Sequence, residues 1–170
     1  MDGLANVFAR NCLIRRIEKP VAAAFLTRYH RLGSTGGRYF YGLFVRRSTG
    51  AGELRLEEGT LVAVASFSSA RRWQKPQGEV RSYEWIRYAS LEGVRVVGGM
   101  GKMLEHFIKE VKPDDVMSYA DTRWPDSGNA YRKLGFVSEG KLERKGWVCE
   151  KFRFTRLTCK VPCLSYPKIL

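Results

Sequence analysis

Histidine, cysteine and acid are all scarce in this chain, and each shortage removes a class of function. Only two histidines occur, His30 and His106, and the four cysteines, at 12, 149, 159 and 163, form no C-x-x-C pair. A structural zinc site takes four ligands, generally as two close pairs. Cys159 and Cys163 have no such second pair, so no metal is expected. Thiols of this kind read as buried or incidental in a reducing compartment. Nor does any apolar run approach the roughly 20 residues that cross a bilayer. The longest candidate, Leu61 to Phe67, falls well short. The opening Met1-Asp2-Gly3-Leu4 lacks the basic stretch and apolar block of a secretory signal. A cytoplasmic protein without membrane association is therefore the expectation.

The shortage of acid leaves a large charge imbalance. Seventeen Asp and Glu face 30 Lys and Arg, a formal net charge of +13 over 170 residues. That balance favours polyanionic partners, either nucleic acid or a small ligand carrying phosphates. The length suits one domain with a sizeable core.

Hydrophobic periodicity divides the chain as follows. Asn11 to Ile17 reads as a strand. Pro20 then opens a helix of about 12 residues, in which Val21, Ala24, Phe25, Tyr29 and Leu32 recur at helical spacing before Gly33 stops it. Tyr39 to Val45 and Thr60 to Phe67 read as strands, the second apolar on both faces and so central in a sheet. Arg71 to Gly78 is a basic loop and Glu79 to Ala89 a third strand of this group. A glycine-rich turn leads into a helix from Gly101 to Val111. Val116 to Ala120 is a short strand, and Ser127 to Leu134 a short helix closed by Gly135. Phe136 to Ser138 and Trp147 to Leu157 are further strands, and residues from 161 to 170 form a tail after a domain of residues 1–160. Strands and helices in this order make a mixed sheet flanked by helices.

The turn Arg95-Val96-Val97-Gly98-Gly99-Met100-Gly101-Lys102 carries the chemistry. A glycine-rich turn opening onto a helix gathers main-chain N–H groups at the positive end of the helix dipole, where phosphates bind. A Walker A loop requires Ser or Thr after the lysine, and Met103 stands there instead. A dinucleotide fingerprint requires a third glycine and an early βαβ position, and the chain has neither. A pyrophosphate-binding loop of another kind fits better, with a plain strand-to-helix turn that holds no ligand as the alternative.

The turn resembles the pyrophosphate loop of the Gcn5-related N-acetyltransferases, in which Gln or Arg is followed after two residues by Gly-x-Gly/Ala. Counted from Arg95, Gly98 falls in place and Met100 takes the second glycine position. Counted from Val96, Gly99 and Gly101 both fall in place and the basic residue is one position off. Asn129 and Tyr131-Arg132-Lys133-Leu134-Gly135-Phe136 are similar to that family's late helix, which ends in Tyr-x-x-x-Gly-Phe. The resemblance implies an α/β fold of mixed α+β character, with a central, largely antiparallel sheet flanked by helices in a single domain. It implies acetyl-CoA as cosubstrate, held by Arg95, Val96, Val97, Gly98, Gly99, Gly101 and Lys102, with Asn129 along the pantetheine arm. The reaction it implies is direct transfer to an amine, with Tyr131 as the acid that protonates the departing thiolate. A phenol is protonated at neutral pH and suits that role. Glu84, on the strand before the turn, is the candidate base, and a main-chain N–H of that strand would hold the thioester oxygen.

A narrower resemblance is to the Mom family of phage DNA-modification proteins. It rests on Tyr29-His30 followed by Leu32-Gly33, and on Ser118-Tyr119-Ala120-Asp121 before Arg123-Trp124. It implies an active centre that includes Tyr29, His30, Asp121 and Tyr131, and adenine in DNA as acceptor, in competition with the small-molecule or protein amine that the wider resemblance allows. Arg71, Arg72, Trp73 and Lys75 suit such a substrate, with cations for phosphates and an indole for base stacking. His106 has no assigned role. A nucleic-acid-binding domain with an acetyltransferase-like shell and no catalysis is the alternative.

Overall fold

The computed structural model describes residues 4–50 and 52–155. The tail from 161 to 170 and the cysteines at 159 and 163 lie outside the described residues, as do the last two residues of the expected strand from Trp147. The chain divides into two compact units: one holds residues up to 68 and from 86 to 110, the other residues 69–85 and those from 111 onward.

In the first unit, β1 (Ala5–Phe8) leads through a 3-10 turn (Ala9–Asn11) to β2 (Cys12–Arg16), followed by α1 (Lys19–Tyr29), β3 (Tyr39–Val45) and β4 (Leu61–Phe67). β2, β3 and β4 pair antiparallel in that order, and β4 neighbours β6 (Gly78–Ser90), whose second half belongs to this unit. β7 (Val94–Val97) pairs in parallel with β1, and α2 (Gly99–Val111) follows. Side chains alternate across a strand, so Phe40 and Val64 face one side of the sheet while Tyr39, Tyr41 and Phe67 face the other. The first side buries Ala22, Phe25 and Leu26 of α1 against Phe40, Val64 and Ala89. The second side receives α2, whose Phe107 ring stacks on Phe67 with centroids 4.0 Å apart. The apolar face of α1 differs from the expected one. Val21 is 46% exposed and Ala24 also faces solvent, because Ala22 and Leu26 point inward with Phe25.

In the second unit, the first half of β6 pairs with β5 (Arg71–Lys75) antiparallel and with β8 (Asp115–Asp121) in parallel. β10 (Trp147–Thr155) lies antiparallel between β8 and β9 (Val137–Arg144). The basic segment read as a loop is thus a strand, turned by Pro76-Gln77 onto β6 with Lys75 opposite Gly78. Likewise the strand expected only to Ser138 runs to Arg144. Lys145 and Gly146 both take positive φ, 52° and 82°, which is the requirement of a two-residue hairpin turn. α3 (Asn129–Lys133) ends where the glycine signal placed its stop: Gly135 has φ 93°, Gly135 N–H donates to Arg132 O at 3.1 Å, and Phe136 N–H donates to Tyr131 O at 3.0 Å. Trp85, Phe136, Phe152 and Phe154 form the core beneath it.

The pairing is mixed and mostly antiparallel with few helices, which is the expected fold class.

Candidate functional site

Within the first unit, the glycine turn is shorter than the sequence suggests. Arg95, Val96 and Val97 are not turn residues: they are strand residues opposite Asn6, Val7 and Phe8. The turn itself is Gly98, whose φ of 76° suits glycine and swings the chain from strand into helix. α2 begins at Gly99, and the first of its own bonds runs from Lys102 N–H to Gly98 O at 3.1 Å. The amides of Gly99, Met100 and Gly101 have no carbonyl four residues back within the helix and lie at its positive end, where Gly99 and Gly101 are buried and Met100 is partly exposed.

Gly99 has a second duty. A Cβ there would run into the Tyr88 hydroxyl and into Val96, so the missing side chain lets the helix start close against the sheet. Tyr88, which nothing in the sequence singles out, is the wall of this turn, and burial pushes its phenol above its ordinary range. Lys102 points elsewhere. Its ammonium donates to Ala9 O at 2.9 Å and Cys12 O at 2.6 Å, and burial lowers its pKa. Its side chain therefore braces the 3-10 turn, while Arg95 remains exposed on β7.

Tyr29 and His30 also lie in the first unit, at the end of α1. The Tyr29 ring packs on Phe25 with centroids 4.7 Å apart. His30 caps the helix, its N–H donating to Leu26 O, and its Nδ1 accepts the Leu32 N–H at 3.0 Å. Burial, then the charges of Arg87 and Arg31, lowers its pKa to about 4. The ring is neutral at pH 7 and carries its hydrogen on Nε2, so it offers a donor on that side and no free basic nitrogen. Arg87 donates to Gly33 O at 3.2 Å and fixes the loop that follows.

The second unit holds the remaining candidates. Tyr131 stands on α3 in an aromatic box: Phe152 is stacked at 5.5 Å, Phe136 lies edge-on at 5.5 Å, and Trp85 edge-on at 6.1 Å. Its ring is half-buried. Asn129, in the first turn of the same helix, is exposed and donates from Nδ2 to Asp126 Oδ1 at 3.1 Å. Asp121, at the end of β8, accepts the main-chain N–H and the Nε of Arg123, each at 3.0 Å, and so organises the turn after its strand. Glu84 is 9% exposed and ion-paired to Arg144 at 3.1 Å and to Arg71 at 3.8 Å. Arg144 in turn lies 4.2 Å over the Tyr119 ring. Neighbours on a strand point to opposite faces, so Glu84 is turned away from the face on which its neighbour Trp85 meets Tyr131. The structure gathers Glu84, Arg71 and Arg144 into one cluster, and Tyr131 with three aromatics into another. Arg144 carries no signal in the sequence, since only the pairing of strands brings it to Glu84.

On β5, Arg71, Trp73 and Lys75 alternate onto one face and Arg72 onto the other, where it pairs with Glu79 at 3.3 Å. The whole strand is exposed, Trp73 by 51%. Among the described residues no group of His, Cys, Asp and Glu is arranged to hold a metal ion, and no helix is long and apolar enough to cross a membrane.

No family model and no curated protein matches the chain by sequence. Its fold has many counterparts among solved structures. The spermidine/spermine N-acetyltransferase SpeG of Vibrio cholerae superposes with a TM-score of 0.63 at 9% identity, over 90% of this chain and 98% of that one. NAA60 of Arabidopsis thaliana, solved with acetyl-CoA, gives 0.62 at 13% identity over 85% and 98%. Ard1 of Thermoplasma volcanium gives 0.58 at 14% identity over 85% and 97%. At these identities the likeness is one of fold: the chain has the architecture shared by these proteins, the Gcn5-related N-acetyltransferase fold.

Proposed function

We propose that this protein is an N-acetyltransferase that uses acetyl-CoA. The observation that carries this is the β7–Gly98–α2 turn, with its donor amides at Gly99, Met100 and Gly101, in a chain whose fold counterparts include an enzyme solved with acetyl-CoA. In this reading those amides hold the cosubstrate's pyrophosphate, Arg95 adds charge, and Asn129 lies along the pantetheine arm. Lys102 contributes its main-chain position and not its ammonium. The acceptor amine attacks the thioester carbonyl, a nitrogen–carbon bond forms, the carbon–sulfur bond breaks, and the Tyr131 phenol gives its proton to the thiolate. The proton lost by the amine passes to water, since Glu84 lies on the opposite face of β6 from Trp85 and Tyr131 and is paired with Arg144 and Arg71. The Mom-like resemblance assigns Tyr29, His30 and Asp121 to the acceptor, His30 through Nε2–H.

The acceptor in this reading is an amine of a nucleobase, as the Mom-like residues imply. It is supported by the charge of +13 and by the Arg71-Trp73-Lys75 face. A second reading, nucleic-acid binding without catalysis, draws on the commitment of Lys102, Asp121 and Glu84 to contacts within the protein. Melting with and without acetyl-CoA separates the two. At a ligand concentration of about 100 times Kd the transferase gains about 2.7 kcal/mol of stability, and no shift at millimolar acetyl-CoA removes the first reading. Tyr131→Phe is expected to lower turnover by about a hundredfold or more while the acetyl-CoA shift stays. Unchanged turnover takes Tyr131 out of the mechanism.

A further inference from the structure

A cleft of about 530 Å³ opens on the first unit between β1, the 3-10 turn and the loop leaving β3. Arg10, Arg46 and Arg47 line it beside Asn6 and Asn11, and among the described residues no carboxylate lines it. Its frame is braced. Arg46 N–H donates to Asn11 O at 3.0 Å across the two walls, and behind the loop Thr49 and Leu56 exchange main-chain bonds of 2.9 and 2.8 Å. Glu57, which accepts the Ser48 hydroxyl at 2.9 Å, is matched by Arg55 at 2.8 Å. Phe8, also in the lining, is 43% exposed, and the Arg10 guanidinium lies 4.8 Å from its ring centroid.

We propose that this cleft seats a single-stranded polynucleotide, with Arg46 and Arg47 on successive backbone phosphates and the Phe8–Arg10 pair stacked beneath an unpaired base. All three arginines are exposed. A lone small anion gains little from exposed guanidiniums, because water and salt screen each contact. A polyanion gains from all of them together, because each neutralised phosphate releases a condensed counterion. The exposed aromatic adds what phosphate contacts lack, a flat apolar surface that an unstacked base covers. This inference does not depend on acetyl transfer: the cleft residues have no part in the proposed reaction, and the Trp73 face is a separate feature of the other unit.

The test is fluorescence anisotropy of a dye-labelled, mixed-sequence single-stranded oligonucleotide, titrated with the full chain over a series of salt concentrations. The Arg10→Ala/Arg46→Ala/Arg47→Ala variant should bind more than tenfold more weakly, and the slope of log K against log salt should shrink by about 1.4, at roughly 0.7 for each of the two lost phosphate contacts. Phe8→Leu should weaken binding severalfold and leave the slope alone, since stacking releases no ions. Lys19→Ala/Arg28→Ala/Lys109→Ala removes as much charge from exposed positions outside the cleft lining and should change both quantities far less. Melting curves establish that each variant is folded. Equal losses in the two triple variants, or an unchanged slope in the first, overturn the site. If the cleft variant loses acetyl-CoA binding and keeps the oligonucleotide, the cleft belongs to the cosubstrate and the proposal fails. Competition by a mononucleotide at the same phosphate concentration as the oligonucleotide overturns it too.

Discussion

Lys102 and His30 show how neighbouring groups decide what an ionisable side chain is for. The Lys102 ammonium satisfies two carbonyls, Ala9 O and Cys12 O, that the 3-10 turn leaves facing it. Lys102→Met keeps the packing of the stem and removes the ammonium from both carbonyls, of which Ala9 O retains the Cys12 N–H and Cys12 O loses its side-chain donor. Urea denaturation should show a loss of about 1–3 kcal/mol, the cost of leaving a partly buried polar group without a partner, and acetyl-CoA binding should survive. His30 is held neutral by burial and by Arg87 and Arg31, with a pKa of about 4 against an ordinary 6.5. The unfolded chain takes up the proton first as pH falls, so the stabilising contribution of this ring is complete above pH 6.5 and is lost progressively toward pH 4. Carboxylates titrate in the same range, so the informative quantity is a difference. His30→Gln should show a smaller drop in melting temperature between pH 7 and pH 4 than the wild type. Parallel curves would mean that His30 takes up its proton equally in both states.

At the scale of elements, the start of α2 is set by two glycines with different tasks. Gly98 supplies the positive φ, and Gly99 supplies the clearance over Tyr88 and Val96. Two effects oppose each other in Gly99→Ala. Alanine favours a helix by about 1 kcal/mol in an exposed interior position, but overpacking typically costs about 1–3 kcal/mol. The contact is with a side chain fixed on a strand, so the clash should win and the variant should melt lower. Tyr88→Phe removes the oxygen that the new Cβ meets, and the double variant should regain part of the loss. An additive double variant would show that the helix start does not depend on this contact. The β5–β6 hairpin is the second such element. Pairing with β6 turns a charged segment into a strand that sorts its side chains by parity, so Trp73 shares a face with Arg71 and Lys75. Trp73→Ala should weaken single-stranded oligonucleotide binding by about 1–3 kcal/mol, the usual worth of one stacked base. An unchanged anisotropy titration would leave the indole without that role.

Taken whole, the protein is a strongly basic chain in which each unit buries apolar residues of its own, the first with Phe40 and Val64 on one side of its sheet and Phe67 and Phe107 on the other, the second with Trp85, Phe136 and Phe152. A charge of +13 spread over this length predicts salt-sensitive association with any polyanion. Such association should fall steeply between 50 and 200 mM salt. Acetyl-CoA, if held as proposed by a few main-chain amides, should lose much less affinity over the same range, which parallel titrations of the two ligands would reveal.

The sequence by itself determined the strand Tyr39–Val45, the strand read from Thr60 to Phe67, the helix α2 from Gly101 onward, the stop at Gly135 and the glycine entry to a helix. Each of these is written in local chemistry: apolar runs, amphipathic spacing, and glycine where φ is positive. The tertiary structure alone decided the pairing of β1 with β7, the strand character of Arg71–Lys75, the turning of Lys102 inward, the Arg144–Glu84 pair and the arginine cleft. These join residues far apart in the chain. Periodicity reports which side of an element is apolar, whereas the partner of a charge is fixed only when distant strands come into register.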